Sequence, residues 1–397
     1  MALNLIRNSR VFYSTNLTAT GAVAATGFTT ANTQEIQVQD GFSFSQNTGQ
    51  ETVTVNESGP APIRGQRSFN TSLEPVDFSF ATYIRPKFEE GATSTVGLDS
   101  DDYIGAEEAV LWNSLSGTAA IGSAGAGWTK SSTFAPPYAT VAFGNSNAHQ
   151  LLAFGLIIRF EDVTYVIDNC AIDSATLDFG LDAIASITWA GKGTTMRQVA
   201  TAVTLADSSG TTTLSGGLGG AAKSKDTTAA YIANKLSTLT LSSLAFGGLS
   251  AKAYTLALTG GNLTISNNLT FLTPANLGVV NQPITYFTGT RAVTSTVTCY
   301  LKTGTNESST LLKDMLAASA SSTSNKFEAV IKVGGNNDTR FEITMPTTQL
   351  TIPAITSEQI IATSITMTAQ GSTTGAAGGN YDLEAKNEIT LKYYAAA

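Results

Sequence analysis

The sequence has few of the residues that catalysis, metal binding and disulfide bonding require. Its 397 residues include one histidine and two cysteines. No Cys, Asp or Glu is spaced to share a metal with His149, so we expect a hydrogen-bonded histidine at a strand end. Cys170 and Cys299 lie in apolar, strand-like segments, which predicts buried free thiols rather than a disulfide. There is no Gly-x-Ser-x-Gly motif, and we predict no enzyme, no catalytic residue, no metal site and no cofactor.

Long apolar segments are also missing. The longest run, residues 151–158, is far shorter than the roughly 20 residues that cross a bilayer, and it fits a buried strand. Residues 1–10 contain no uninterrupted apolar core, so we expect no signal peptide. These two features disfavour membrane and secreted proteins.

Charge is scarce and unevenly distributed. Charged residues make up 13% of the chain, about half of the usual ~25%. The net charge is −8: residues 1–193 hold 19 acids and 9 bases, residues 194–226 hold 2 and 3, and residues 227–397 hold 9 and 10. Tight nucleic-acid binding depends on Lys and Arg that neutralise phosphates, so this acidic chain is a poor candidate for it.

Three local motifs predict ordinary structure rather than a site. The glycine-rich stretch before Lys223-Ser224 has Ala222 where a phosphate-binding loop needs Gly, which favours a flexible linker. The acidic cluster at 99–102 fails the calcium-loop pattern and predicts a solvated loop. The pairs Glu89-Glu90 and Glu107-Glu108 predict surface charge, the second pair at the N-terminus of a helix.

The most informative feature that is present is an internal repeat. Residues 69–83 and 287–300 both open with Phe, alternate apolar with polar residues, and close with a Tyr that an aliphatic residue follows. The offset between them is 287 − 69 = 218 at the start and 300 − 83 = 217 at the end. A repeat of such long period indicates two copies of one β-rich domain.

The similarity continues on both sides of these strands. Upstream lie alternating strands with a central Gly, followed by long loops that contain Pro. Downstream lie short amphipathic helices and a final strand that repeats with an offset of 365 − 187 = 178. The paired segments are 35–47 and 255–268 for the strands, 46–68 and 267–286 for the loops, 106–115 and 307–316 for the helices, and 183–191 and 361–369 for the final strands.

These matches predict the domain boundaries. We expect the first copy at 1–193, the second copy at 227–397, and a Gly/Ser/Thr-rich linker at 194–226. The first copy is the longer one, and its extra residues are expected within 114–148. Trp112 and Trp189 follow the apolar pattern and are expected in the core.

Two β-rich copies with little charge and no pocket chemistry indicate a building block. A small sheet has two edges with unpaired backbone groups, and closing several sheets into a shared barrel removes those edges. Head-to-tail contacts close as a ring when the rotation between copies fits. Long loops could then reach from one ring to the next.

At this point the chain resembles a known family, the major tail tube proteins of long, flexible-tailed bacteriophages (siphoviruses), in the T-five-like branch whose tube domain is duplicated. The opening Leu5-Ile6-Arg7-Asn8-Ser9-Arg10-Val11-Phe12 is similar to the family start. The order of the matching pieces along the chain makes the resemblance specific. Further matches lie at 32–40, 54–60, 64–65, 69–73, 78–84, 187–189, 272–274, 283–284 and 287–289.

The resemblance implies a mainly β fold with short helices, in which two tandem tail-tube β-sandwich domains join a ring-wide β-barrel. It implies trimeric, pseudo-sixfold rings that stack into the virion tail and conduct genomic DNA during ejection without binding it specifically. The loops at 46–68 and 267–286 would contact the next ring. The implied partners are further copies of the chain, the tape measure protein, the tail terminator and tail-tip proteins, with assembly in the cytoplasm of the bacterial host and no membrane. The chain ends at Ala397, where some members continue into an immunoglobulin-like decoration domain, and we expect it to lack one.

The acidity of the first copy leads to one hypothesis about the lumen. Lysine contacts to phosphate would slow moving DNA, so we expect a lumen wall with net negative charge. Two other functions stay open: the inner tube protein of a contractile tail, which would need six single-domain chains per ring, and a surface adhesin-like β-protein.

Overall fold

The computed structural model describes residues 9–25, 27–28, 32–53, 66–89, 103–117, 128–131, 138–143, 151–160, 163–199, 230–244, 250–320, 322, 325–336, 339–356, 360–371 and 387–395. We call residues 9–199 the first half and residues 230–395 the second half. The described residues of both halves consist mainly of strands, with one α-helix described in each half. The expectation of a mainly β chain with short helices is confirmed.

The elements of the first half are β1 (Arg10–Ser14), β2 (Thr33–Ile36), β3 (Ser43–Val53), β4 (Arg67–Tyr83), β5 (Pro86–Glu89), β6 (Tyr103–Ala106), α1 (Ala109–Ser116), β7 (Trp128–Ser131), β8 (Tyr138–Ala142), β9 (Phe154–Arg159), β10 (Thr164–Asp178), β11 (Ser186–Gly193) and β12 (Thr195–Val199). Those of the second half are β13 (Thr238–Ser243), β14 (Lys252–Leu256), β15 (Leu258–Ser266), β16 (Thr270–Leu272), β17 (Thr285–Phe287), β18 (Ala292–Tyr300), α2 (Ser308–Ser319), β19 (Phe327–Val333), β20 (Arg340–Leu350), β21 (Ala354–Thr356), β22 (Ala362–Ala369) and β23 (Thr390–Tyr394).

One antiparallel sheet, which we call the long sheet, runs through both halves. Its strands follow the order β3-β4-β11-β10-β15-β18-β22-β20, and β21 continues β20 along β22. β11 alternates along its length: Ile187 and Trp189 are buried, whereas Ser186 and Thr188 face outward. This period of two is expected for a sheet with one face on the core.

Each half adds a second sheet that packs over the long sheet. In the first half its order is β2-β1-β9-β10-β12, and in the second half β14-β13-β19-β20-β23. The N-terminal parts of β10 and β20 therefore belong to one sheet and their C-terminal parts to the other, with a register shift in between. The order of strand pairings in the second half is thus the same as in the first.

Strand registers give the offset between the halves. The β4–β11 ladder starts at Tyr83 and Ser186, and the β18–β22 ladder starts at Tyr300 and Ala362. The first strands therefore match with an offset of 300 − 83 = 217 and the second strands with 362 − 186 = 176. The ladder ends thus give 176 for the final strands, where the sequence comparison gives 178; the two values differ by two residues and put the same side chains on the core face.

Three sequence expectations need correction. The described parts of the loop predicted at 46–68 belong mainly to β3 and β4, whose cross-strand pairs Gln50–Asn70 and Thr52–Ser68 are hydrogen bonded; residues 54–65 lie outside the described residues. The strand predicted at 35–47 is two strands, β2 and β3, separated by Gly41, whose positive φ of 98° suits a glycine.

The third correction concerns the linker predicted at 194–226. Its first part forms β12, which pairs with β10 from Thr164 to Asp168. Arg197 also binds Asp168 at 2.9 Å and thereby fixes the strand to its neighbour. The remainder of the predicted linker lies outside the described residues, and the two domain copies stay a prediction.

Candidate assembly surfaces

The two halves are joined edge to edge by β10 and β15, a junction that we call the seam. Residues from Ser174 to Asp178 pair with residues from Ser266 to Asn262. Leu177 and Leu263 face each other on the core side and are fully buried, while Thr176 and Thr264 share a hydrogen bond of 3.1 Å on the outer side. Backbone pairing above an apolar layer therefore makes the halves one continuous sheet.

The long sheet ends in two strands whose outer edges lack a backbone partner among the described residues. At one end, β3 pairs with β4 alone; at the other, β21 pairs with β22 alone. The side chain of Asn325 satisfies the backbone of Leu350, so the open edge starts after that residue. On this edge Ile352 and Ile355 are 49% and 54% exposed.

Helix α1 fills the space between the halves. Its Trp112 is fully buried, contacts the Trp189 ring at a centroid distance of 4.8 Å, and stacks on Phe341 of the second half at 6.4 Å. The indole Nε1 donates a hydrogen bond of 2.6 Å to the hydroxyl of Tyr393 in β23. One tryptophan thus connects the cores of both halves, and the expectation that Trp112 and Trp189 are core residues is confirmed.

A hairpin from the first half also crosses to the second half. Strands β7 and β8 lie in the region 114–148, where the extra residues of the first copy were expected. Strand β8 pairs with β23 from Tyr138 to Ala142, so the hairpin extends a sheet of the other half. The halves are therefore connected by the contacts of α1, by the pairing of β8 with β23, and by the seam.

Glu107 and Glu108 are not surface charges, contrary to the sequence expectation. Both are buried, and Glu108 accepts a hydrogen bond of 2.5 Å from the Tyr393 hydroxyl and longer ones from the backbone N–H of Arg85. Burial raises the pKa of Glu108 from 4.5 to about 7, and the neighbouring Glu107 carboxylate adds to the rise, whereas the bonds from Tyr393 and Arg85 lower it. Lys87 forms an ion pair with Glu107 at 3.5 Å.

We predict that Glu108 makes the fold less stable at alkaline pH. The folded pKa lies above the unfolded one, so the free energy of unfolding falls as pH rises from about 4.5 to 7. Between pH 5 and pH 8, wild type should lose about 2–3 kcal/mol more stability than Glu108→Gln, which stays neutral. Urea unfolding at both pH values measures this difference, and parallel losses in the two proteins would contradict it.

The outward face of the long sheet carries hydroxyl groups rather than charges. One row across five strands consists of threonines only, which we call the threonine row. Neighbouring rows contain Ser, Ala, Asn and Thr together with one charged residue, Asp178. Asp77 and Lys192, nearer the β3 end, form an ion pair of 2.6 Å. The threonine row consists of Thr188, Thr176, Thr264, Thr294 and Thr368.

Exposed apolar side chains concentrate on the segment between β16 and β17. This segment was expected as a long loop at 267–286, and apart from the two short strands it is irregular. Asn281 accepts a hydrogen bond of 2.8 Å from the N–H of Leu73 and thereby attaches the loop to β4. The exposed apolar residues are Leu272, Leu277, Val279, Val280, Ile284 and Phe287.

The other residues singled out in the sequence are either buried or lie outside the described residues. Cys170 and Cys299 are buried and free, as expected. His149, the acidic cluster at 99–102 and the glycine-rich stretch before Lys223 lie outside the described residues. In the part of the chain that the structure describes, no cluster of His, Cys, Asp and Glu could hold a metal ion, and no helix there has the length and apolarity to span a bilayer.

Comparison with known proteins identifies the family. The chain is 31% identical over 376 residues to the tail tube protein pb6 of Escherichia phage T5, a match that covers 92% of this chain and 72% of the relative. The chain belongs to the T5-like tail tube proteins. It is therefore a structural virion protein of a bacteriophage tail, and the resemblance read from the sequence is confirmed.

Two other comparisons add little to this T5-like tail tube protein. No family model matches the chain. A chain from the cryo-EM structure of the anti-feeding prophage baseplate, 6-fold symmetrised, is 10% identical and covers 32% of this chain and 86% of its own length, with a TM-score of 0.25. A score of this size supports no argument about the fold.

Proposed function

We propose that three copies of the chain form each ring of the tail tube, that the halves are two copies of one tube domain, and that stacked rings conduct genomic DNA. The observation that carries the proposal is the long sheet. It consists of two four-stranded units with the same pairing order, joined at the seam, and its two end strands have no outer partner in the part of the chain that the structure describes. A further chain can join at either end in the way the halves already join.

The seam register predicts how the open edges meet. In the first half Leu177 pairs with Ile187, and in the second half Ile355 pairs with Thr363. Since Ile187 and Thr363 match with the offset of 176, Ile355 corresponds to Leu177. In the second half Leu263 pairs with Ser295, and in the first half Phe44 pairs with Phe78. Since Phe78 and Ser295 match with the offset of 217, Phe44 corresponds to Leu263. Since Leu177 faces Leu263 at the seam, we expect Ile355 to face Phe44 of the next chain.

Three chains would contribute six such units, which supports the pseudo-sixfold ring that the family resemblance implies. Each ring would then contain three seams within chains and three between chains. The same β10–β15 geometry would recur at every joint, so the outward face of the long sheet would line the lumen all the way round.

A lumen of this kind suits the passage of DNA. Asp77, Asp178 and Lys192 give the central rows a net charge of −1, which agrees with the negative wall expected from the sequence. The threonine row presents hydroxyl groups in place of cations. Without Lys or Arg contacts to phosphate, the wall would not retain the nucleic acid.

Contacts between rings would use the end of the sheet where the β3–β4 hairpin and the β16–β17 loop meet through Leu73 and Asn281. The exposed apolar side chains between β16 and β17 and those of Val53 and Phe69 on the β3–β4 hairpin support this role, because exposed apolar patches mark protein contacts. Tape measure, terminator and tail-tip proteins are the expected partners at the centre and the ends of the tube.

Negative-stain electron microscopy of the purified chain, fresh and after concentration, tests the proposal. We expect hollow tubes with a regular repeat and a mass per ring of three chains. Six chains per ring would instead favour a contractile-tail arrangement. Monomers that persist at high concentration, also with tail-tip proteins added, would contradict self-assembly.

A further inference from the structure

Helix α2 exposes a face that is buried in α1. Leu111 and Leu115 of α1 are buried in the core, as are Leu311 and Met315 of α2, so the helices match with an offset of 200 (311 − 111 and 315 − 115). With this offset Trp112 corresponds to Leu312 and Ser116 to Leu316.

The two faces differ in what covers them. Trp112 packs on Phe341 and Tyr393 of the second half, whereas Leu312 is half-buried and Leu316 is 53% exposed. The second half covers α1, whereas Leu316 of α2 stays exposed among the described residues. Leu312 and Leu316 therefore mark the place on α2 where the first half of another chain would be expected to pack.

The first half has a matching uncovered surface, which we call the aromatic cluster: Phe42, Phe44, Phe160 and Tyr165. Their rings lie 5.7 to 6.4 Å apart, and all four are partly exposed. The cluster lies where β3 at the open edge approaches β9 and β10. Four partly exposed aromatic rings in mutual contact form an apolar surface that a partner can bury.

The strand registers identify the residues of the second half that correspond to the aromatic cluster, at a place that is covered. The shifts after Ile167 in β10 and after Met345 in β20 match with an offset of 178, so Tyr165 corresponds to Ile343. By the same ladders Phe160 corresponds to Val333. Ile343 and Val333 are fully buried beside Phe341, on which Trp112 packs.

We propose that Leu312 and Leu316 of one chain dock on the aromatic cluster of the next chain in the ring. The occupant is a second copy of this chain, because the contact continues the expected pairing of Ile355 with Phe44 and repeats the packing of α1 on the second half. This inference rests on the proposed ring.

Cross-linking in assembled tubes tests the contact. The double variant Leu316→Cys with Phe160→Cys is treated with a short bis-maleimide, and the products are separated under denaturing conditions. We expect covalent dimers and trimers. The matched control, Leu236→Cys with Phe160→Cys, uses a leucine that is 59% exposed on the turn before β13, and it should stay monomeric. The natural cysteines are buried and should not react.

The outcomes separate this inference from the proposed function. Tubes that form normally but give no cross-link overturn the docking and leave the ring proposal intact. Cross-linking in the control as well shows unselective contact and also overturns the docking. Failure of wild type to form tubes overturns the ring proposal and, with it, the inference.

A second variant tests the contribution of the leucine without new cysteines. Leu316→Asp should lower the amount of tube formed at a fixed concentration at least tenfold while the thermal melting temperature of the monomer stays unchanged. Leu236→Asp should leave tube formation intact. Normal tubes from Leu316→Asp would contradict the proposal.

Discussion

Ile355→Lys should leave the chain folded but unable to form tubes. Ile355 is 54% exposed in the isolated chain, and substitutions at such positions change stability little. In the ring it would face Phe44 of the next chain and be buried like Leu177, which is fully buried at the seam. Burying an unpaired ammonium costs several kcal/mol, and about 3 kcal/mol already weakens an association more than about 100-fold.

Electron microscopy and sedimentation measure tube formation in this variant, and thermal melting measures its fold. Leu236→Lys is the matched control, because it adds the same charge at a comparably exposed leucine away from the open edge. Tubes of normal yield from Ile355→Lys would show that β21 does not form the joint between chains.

Trp112→Ala should reduce the free energy of unfolding by about 3–5 kcal/mol, the usual range for removing a large buried aromatic side chain. The substitution opens a cavity beside Trp189 and Phe341 and removes the donor to the Tyr393 hydroxyl. Because this indole connects both cores, we also expect the single unfolding transition to split into two.

Trp112→Phe separates the two contributions. It keeps an aromatic ring in place but lacks the N–H group, so it should cost about 1–3 kcal/mol, the range for a buried partner left unsatisfied. Urea unfolding followed by near-ultraviolet circular dichroism measures both variants. A loss below about 1 kcal/mol in Trp112→Ala would show that the hairpin and the seam suffice to hold the halves together.

The sequence predicted individual helices and strands better than it predicted which strands pair. The helix expected at 106–115 is α1 (Ala109–Ser116), and that at 307–316 is α2 (Ser308–Ser319), because apolar spacing is a local signal. The pairing of β3 with the start of β4 was missed because the outer part of this hairpin is exposed on both faces and shows no buried alternation. Such a strand is held by its ladder rather than by a buried face.

The contacts between the halves could not be predicted from the sequence. The pairing of β8 with β23 joins residues far apart in the chain, and no pattern in either strand identifies its partner. Glu108 carries the charge of a surface residue, and only its place beside Tyr393 shows that it is buried. The open edges became visible only when the pairing of every strand was known.

Pro353 separates β20 from β21 on the open edge, at the position that Ala175 occupies at the seam (353 − 175 = 178). Proline has no N–H to donate, and prolines on sheet edges hinder the addition of further strands. The residue thus acts as a gatekeeper against indiscriminate strand addition. We expect Pro353 to slow the pairing of stray strands with this edge, so that the edge stays available to the next chain.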